Sequence, residues 1–102
     1  MSSLAERLGP VLAAHGFEKA IVFGSVARGT ASRRSDLDLI LVKRTKERFL
    51  DRYGRVLCDL YDAAPEREIE ALIYTPEELE QLSERRFIAR ALREGRVIYE
   101  SS

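Results

Sequence analysis

The sequence predicts an α/β (α+β) fold, and three observations carry that expectation. Short apolar runs rich in β-branched residues recur as KAIVF (19–23), LDLILV (37–42) and EIEALIY (68–74). Between them lie stretches with apolar residues at helical spacing, closed by glycine or proline. A length of 102 residues, 45% hydrophobic and 33% charged, suffices for one small core. No repeat, low-complexity tract or linker interrupts it, so one domain is expected over 1–102.

Ser2 or Ser3 caps a first helix, with Glu6 three residues after Ser3 as in a capping box, and Leu4, Leu8, Val11 and Leu12 supply its apolar stripe. Pro10 predicts a bend or restart inside it, and His15-Gly16 marks its end. The first strand is 19–23. A short helix is expected over 25–28, and Arg33, Arg34 and Ser35 are loop. The second strand, 37–42, is apolar on both faces, as a strand covered on both sides would be. A long amphipathic helix is expected from Thr45 or Lys46 to Ala64, carrying Phe49, Leu50, Tyr53, Val56, Leu57, Leu60 and Tyr61 and stopped by Pro65. The third strand is 68–74. Thr75-Pro76-Glu77-Glu78 is a helix start, with Thr75 as cap, proline at the first helical position and Glu78 closing a capping box. A last helix, 84–94, ends at Gly95, and 96–100 adds a final strand.

Charge and cysteine content exclude several classes. Seventeen basic and seventeen acidic residues give zero net charge, whereas a dedicated nucleic-acid binder would carry a basic excess. Cys58 stands alone, so there is no internal disulfide and no cysteine zinc cluster. No signal peptide is visible and no apolar run reaches the length of a membrane span; a cytoplasmic protein is expected.

The unusual residues sit in FGSVARGTASRRSDLDLILV (23–42). Asp36 and Asp38 are two apart in an extended segment and project together, with Leu37 turned away. Two carboxylates side by side repel, and a cation is the usual compensation. Acceptor-only oxygens suit Mg²⁺, which keeps waters that substrate phosphates replace. Gly24 and Ser25 supply the complementary half. Glycine permits close backbone approach, and a turn entering a helix offers free N–H groups to phosphate. For both halves to touch one ligand, the first two strands must run antiparallel. The third strand adds a carboxylate: Glu70, with Glu68 as the alternative nearer the solvated start.

Gly24-Ser25, ten residues, then Asp36-Leu37-Asp38 resembles the G-S-x(n)-D-x-D signature of the DNA polymerase beta-like nucleotidyltransferases. The fuller strings GSVARG (24–29) and SDLDL (35–39), and later EALIYTPEEL (70–79), are similar to the minimal nucleotidyltransferases of prokaryotes over essentially the whole chain. In that family the third acid, often aspartate, stands where this chain has Glu70; the longer side chain is a departure. The resemblance implies a mixed sheet with helices packed on it, in a nucleotidyltransferase fold. It implies a Mg²⁺-dependent transfer of a nucleoside monophosphate, AMP from ATP, to a protein acceptor. Many such proteins are antitoxins that modify a tyrosine of a HEPN-domain toxin. On that footing Asp36, Asp38 and Glu70 are the catalytic and metal-holding acids. Gly24, Ser25, Arg28 and Ser35 would hold nucleotide, with Arg33 and Arg34 assisting or merely solvated.

Other residues have structural readings. His15 is a helix-end residue, Cys58 a core residue, and Phe49, Tyr53, Tyr61 and Phe87 packing residues. Arg85, Arg86, Arg90, Arg93 and Arg96 form a solvated face, or one that meets an acidic partner. Two competing functions remain: a non-catalytic antitoxin that masks its partner by contact, and a small-molecule nucleotidyltransferase of the aminoglycoside type. A site this open would be completed by a protein partner or by a second copy in a homo-oligomer.

Overall fold

The computed structural model describes residues 2–24 and 36–101, with the side chains of Ser2 and Ser3 outside the description. Four strands form one mixed sheet in the order β3-β2-β1-β4: β1 Lys19–Phe23, β2 Leu37–Val42, β3 Ile69–Tyr74 and β4 Arg96–Glu100. β1 is antiparallel to β2, as the site chemistry required, and β2 is parallel to β3. The helices are α1 Ser2–Ala14, α2 Gly54–Ala63, α3 Pro76–Leu82 and α4 Arg86–Glu94.

β2 has apolar residues on both faces because both faces are covered. Leu37, Leu39 and Leu41 join Leu4, Leu8 and Leu12 of α1 and Val56 and Leu60 of α2 in the larger core. Ile40 and Val42 face the other way, onto Ile21, Ile88 and Ala91. Alternation along a strand thus sorts one run of residues into two cores.

α1 runs unbroken through Pro10, which is exposed. The helix already includes Ser2 and Ser3, which puts Ser3 inside the first turn rather than at the cap. Its end is as expected. Gly16 has φ 77, and Phe17 N–H reaches back to the Leu12 carbonyl (3.0 Å) while Gly16 N–H reaches that of Ala13 (3.1 Å). This is a Schellman closure, with Phe17 and Leu12 both buried. His15 Nε2 lies 2.7 Å from Asp59 Oδ2, tying that end to α2.

The long helix expected from Thr45 or Lys46 is shorter. Residues 43–48 form no regular element, Phe49–Arg52 is a 3₁₀ turn, and α2 begins only at Gly54. The cause is Arg52, which is buried. Its guanidinium makes two bonds to Glu78 (2.6 and 3.0 Å) and donates to the carbonyls of Ile73 (3.0 Å) and Glu47 (3.1 Å). Turning the Arg52 side chain inward breaks the helical stripe, and Leu50 is left exposed. Cys58 is also exposed rather than core, since α2 buries Val56 and Leu60.

Both sheet edges are blunted. On β3, Ile73 N–H donates to Tyr53 Oη (2.9 Å), and Ile69 N–H donates to Tyr61 Oη (3.1 Å), whose hydroxyl returns a bond to the Ile69 carbonyl (3.2 Å). On β4 the register with β1 shifts between Ala20 and Ile21, a bulge that bends the edge. Among the described residues no helix is long and apolar enough to cross a membrane.

The capping box at the start of α3 forms as expected, and Glu78 serves it and Arg52 together. Arg52 holds the Glu78 carboxyl at a pKa of about 2 instead of 4.5, and Arg7 does the same to Glu66 through hydrogen bonds of 2.7 and 2.8 Å. Both pKa values are depressed on folding. Their contribution is therefore complete above pH 4.5 and lost as pH falls towards 2. Arg52→Met should cost about 2–3 kcal/mol, because it strands the Ile73 carbonyl and frees Glu78. Urea unfolding at pH 7 and pH 3 checks this. The variant should also lose less stability than the parent between those pH values, and equal losses would remove Glu78 from the acid response.

Candidate active site

Strand register builds the site. Phe23 pairs with Asp38 across the antiparallel ladder, and Asp38 with Glu70 across the parallel one. Phe23, Asp38 and Glu70 thus stand in one row across three strands, on the face that α4 covers. Asp38 is half-buried, while Asp36, just before β2, and Glu70 are exposed. Glu68 lies one residue outside β3, where its carbonyl accepts the Leu37 N–H (2.7 Å). Glu70, not Glu68, is Asp38's neighbour.

The parallel register sets the Asp38 and Glu70 carboxyls side by side. Burial first, then the adjoining Glu70 carboxyl, then the negative charge of Asp36 raise the Asp38 pKa above the ordinary carboxyl value. This shift opposes those of Glu66 and Glu78: an ionised Asp38 costs stability at neutral pH, and protonation relieves it. A cation would relieve it too. Among the described residues no three His, Cys, Asp or Glu side chains close into a preformed metal cluster. The sheet brings together the Asp38–Glu70 pair, with the Asp36 charge at the strand mouth. Their donor set is all carboxylate oxygen, the type that fits Mg²⁺.

Gly24 ends β1 beside this pair. Its φ is 75, and a Cβ there would lie 2.6 Å from Asp38 Oδ2. The glycine therefore answers two demands, a left-handed turn and room for the Asp38 carboxylate. Ser25, Arg28, Arg33, Arg34 and Ser35 lie outside the described residues.

Two clefts open on the row. One, about 300 Å³, is lined by Phe23, Gly24 and Asp38 on the sheet and by Phe87, Arg90, Ala91 and Glu94 of α4. The other, about 520 Å³, is lined by Phe23, Asp38, Glu70, Ala71, Leu72 and Phe87. Phe23 and Phe87 meet edge to face at 5.6 Å between the clefts. Phe87, expected to be a packing residue, is 60% exposed. Sequence reasoning missed Phe87, Arg90 and Glu94 as site residues. The available signal was their spacing: 87, 90, 91 and 94 form one stripe along a helix.

The family model described as "Polymerase beta, Nucleotidyltransferase" matches residues 6–102. Among solved structures, the chain is similar to one titled "Crystal structure of the toxin-antitoxin with AMP-PNP", at 15% identity and a TM-score of 0.67. The match covers 96% of this chain and 74% of that one, and at such identity it shows a shared fold. No curated protein matches.

Gly24→Ala should destabilise the protein by about 1–2 kcal/mol from the left-handed backbone alone, and turn the Asp38 carboxylate aside. Urea unfolding reads the first effect. A variant as stable as the parent would mean that the turn after β1 does not need glycine.

Proposed function

The chain belongs to the polymerase beta nucleotidyltransferase family, and from that premise we propose that it transfers a nucleoside monophosphate, AMP from ATP, to a hydroxyl of a protein acceptor. The observation that supports this most is the row Phe23–Asp38–Glu70 with the Gly24 turn pressed against Asp38. It puts a backbone that can approach phosphate next to paired carboxylates.

In this reading the Gly24 turn, with Ser25, Arg28 and Ser35, holds the β- and γ-phosphates. Asp36 and Asp38 would hold Mg²⁺, with Glu70 able to complete the set; when bound, the ion neutralises charge on the triphosphate. Glu70 lines the cleft that extends away from Gly24 over Ala71 and Leu72. The acceptor hydroxyl enters there and gives its proton to Glu70. Its oxygen forms a bond to the α-phosphorus as the bond to the β-phosphate oxygen breaks, and pyrophosphate leaves. Catalysis is positioning and charge neutralisation.

The acceptor we favour is a tyrosine of a HEPN-domain toxin, which makes this chain a cytoplasmic antitoxin. The toxin–antitoxin title of the structural neighbour, and the nucleotide analogue named in it, support that reading. One observation favours a second, contact-only antitoxin. The third acid is glutamate, whose extra methylene moves its oxygens outward from where an aspartate would hold them.

Incubating the protein with Mg²⁺, α-labelled ATP and the neighbouring gene's product separates the two. Label on the partner is expected, whereas stoichiometric inhibition without label would establish masking. Asp38→Asn should lower transfer by about 10²–10³-fold. It should leave the fold as stable or more so, because a like-charge contact with Glu70 is relieved. Unchanged transfer by the folded variant would remove Asp38 from the mechanism.

A further inference from the structure

We propose that Arg90 of α4 is a ligand for the polyphosphate tail of the nucleotide, held ready by Glu94. The inference rests on the nucleotidyltransferase reading and adds to it a phosphate contact supplied by the last helix.

The placement of α4 is tight. A Cβ at Gly95 would lie 2.5 Å from the Ala91 carbonyl oxygen, 2.7 Å from Ile21 Cγ2 and 3.0 Å from the Val22 carbonyl oxygen. The end of α4 is therefore packed on the backbone of β1, the strand that leads into Gly24. That contact brings Arg90 and Glu94 to the same cleft as Gly24 and Asp38. Among the described residues lining that cleft, the Arg90 guanidinium is the cationic group, and it shares the cleft with Gly24 of the turn that would hold phosphate.

Arg90 Nε sits 3.2–3.3 Å from the Glu94 carboxylate, four residues on. Helix stability does not explain this pair. Arginine preceding glutamate is the weaker order on a helix. Glu94, the last helical residue, also lies at the negative end of the helix dipole. An exposed pair of this kind contributes little to stability. A polyphosphate offers the same fork more charge and more acceptor oxygens, so it displaces Glu94 readily. Until then Glu94 keeps the guanidinium over the cleft and limits its rotamers.

Calorimetric titration with a non-hydrolysable ATP analogue plus Mg²⁺, and with AMP, tests this. Arg90→Gln should bind the ATP analogue about ten- to thirtyfold more weakly and AMP as the parent does. Arg90→Lys should recover most of the loss. Arg93→Gln, on the same helix but outside this cleft, should match the parent. An Arg90→Gln protein that binds the analogue normally, or loses AMP and the analogue equally, would overturn the assignment and leave the nucleotide site standing. Failure of the unaltered protein to bind the analogue would remove the nucleotide site, and this inference with it.

Discussion

Asp38 is an acid on a strand otherwise buried from end to end. Leu37, Leu39, Ile40, Leu41 and Val42 are all buried around it. A charge in that position is costly unless something nearby is polar, open or cationic. Glu70, in register beside it, adds a second acidic group and raises that cost. The structure meets the constraint in two ways. The neighbouring turn is glycine, which leaves room for the carboxylate. The second core of Ile21, Ile40, Val42, Ile88 and Ala91 stops short of it, and clefts stand where further side chains would otherwise pack. What remains is a like-charge pair that a cation or a proton would steady.

That site needs a sheet that neither frays nor pairs with the wrong strand. β3 carries Glu70 and is an edge strand, so its outward backbone groups need partners. Tyr53, Tyr61 and Arg52 provide them from the segment that precedes it. Arg52 also fixes Glu78, and with it the start of α3. One buried guanidinium thus joins the 3₁₀ turn, the end of β3 and the next helix. Burial of its cation is tolerable because four hydrogen bonds accompany it.

The two faces of the sheet are unequally filled. α1 and α2 cover one with a continuous core, while α3 and α4 leave clefts on the other. Phe87 stays largely exposed between those clefts and meets Phe23 edge-on.

Much of this could be read from residue order. The strands, the Schellman end at Gly16, the capping box at Thr75 and Glu78, and the stop at Gly95 follow from local rules, because each depends on residues within a turn of one another. The antiparallel pairing of the first two strands followed from chemistry, since Gly24 and Asp38 had to meet. Other features depended on distant neighbours. Arg52 lies inside the helix expected from Thr45 or Lys46, but it bonds to Ile73 and Glu78 instead, and the helix starts only beyond it, at Gly54. Cys58 was expected inside and lies outside, because the stripe of α2 is set by what it packs on. Glu70 rather than Glu68 adjoins Asp38 by parallel register, which no local pattern encodes. The sequence by itself determined the elements and the chemical types at the end of β1 and the start of β2. Only the tertiary structure decided that Phe87, Arg90 and Glu94 stand over them. Periodicity defines the faces of an element about its own axis, but which face meets which neighbour is decided by packing.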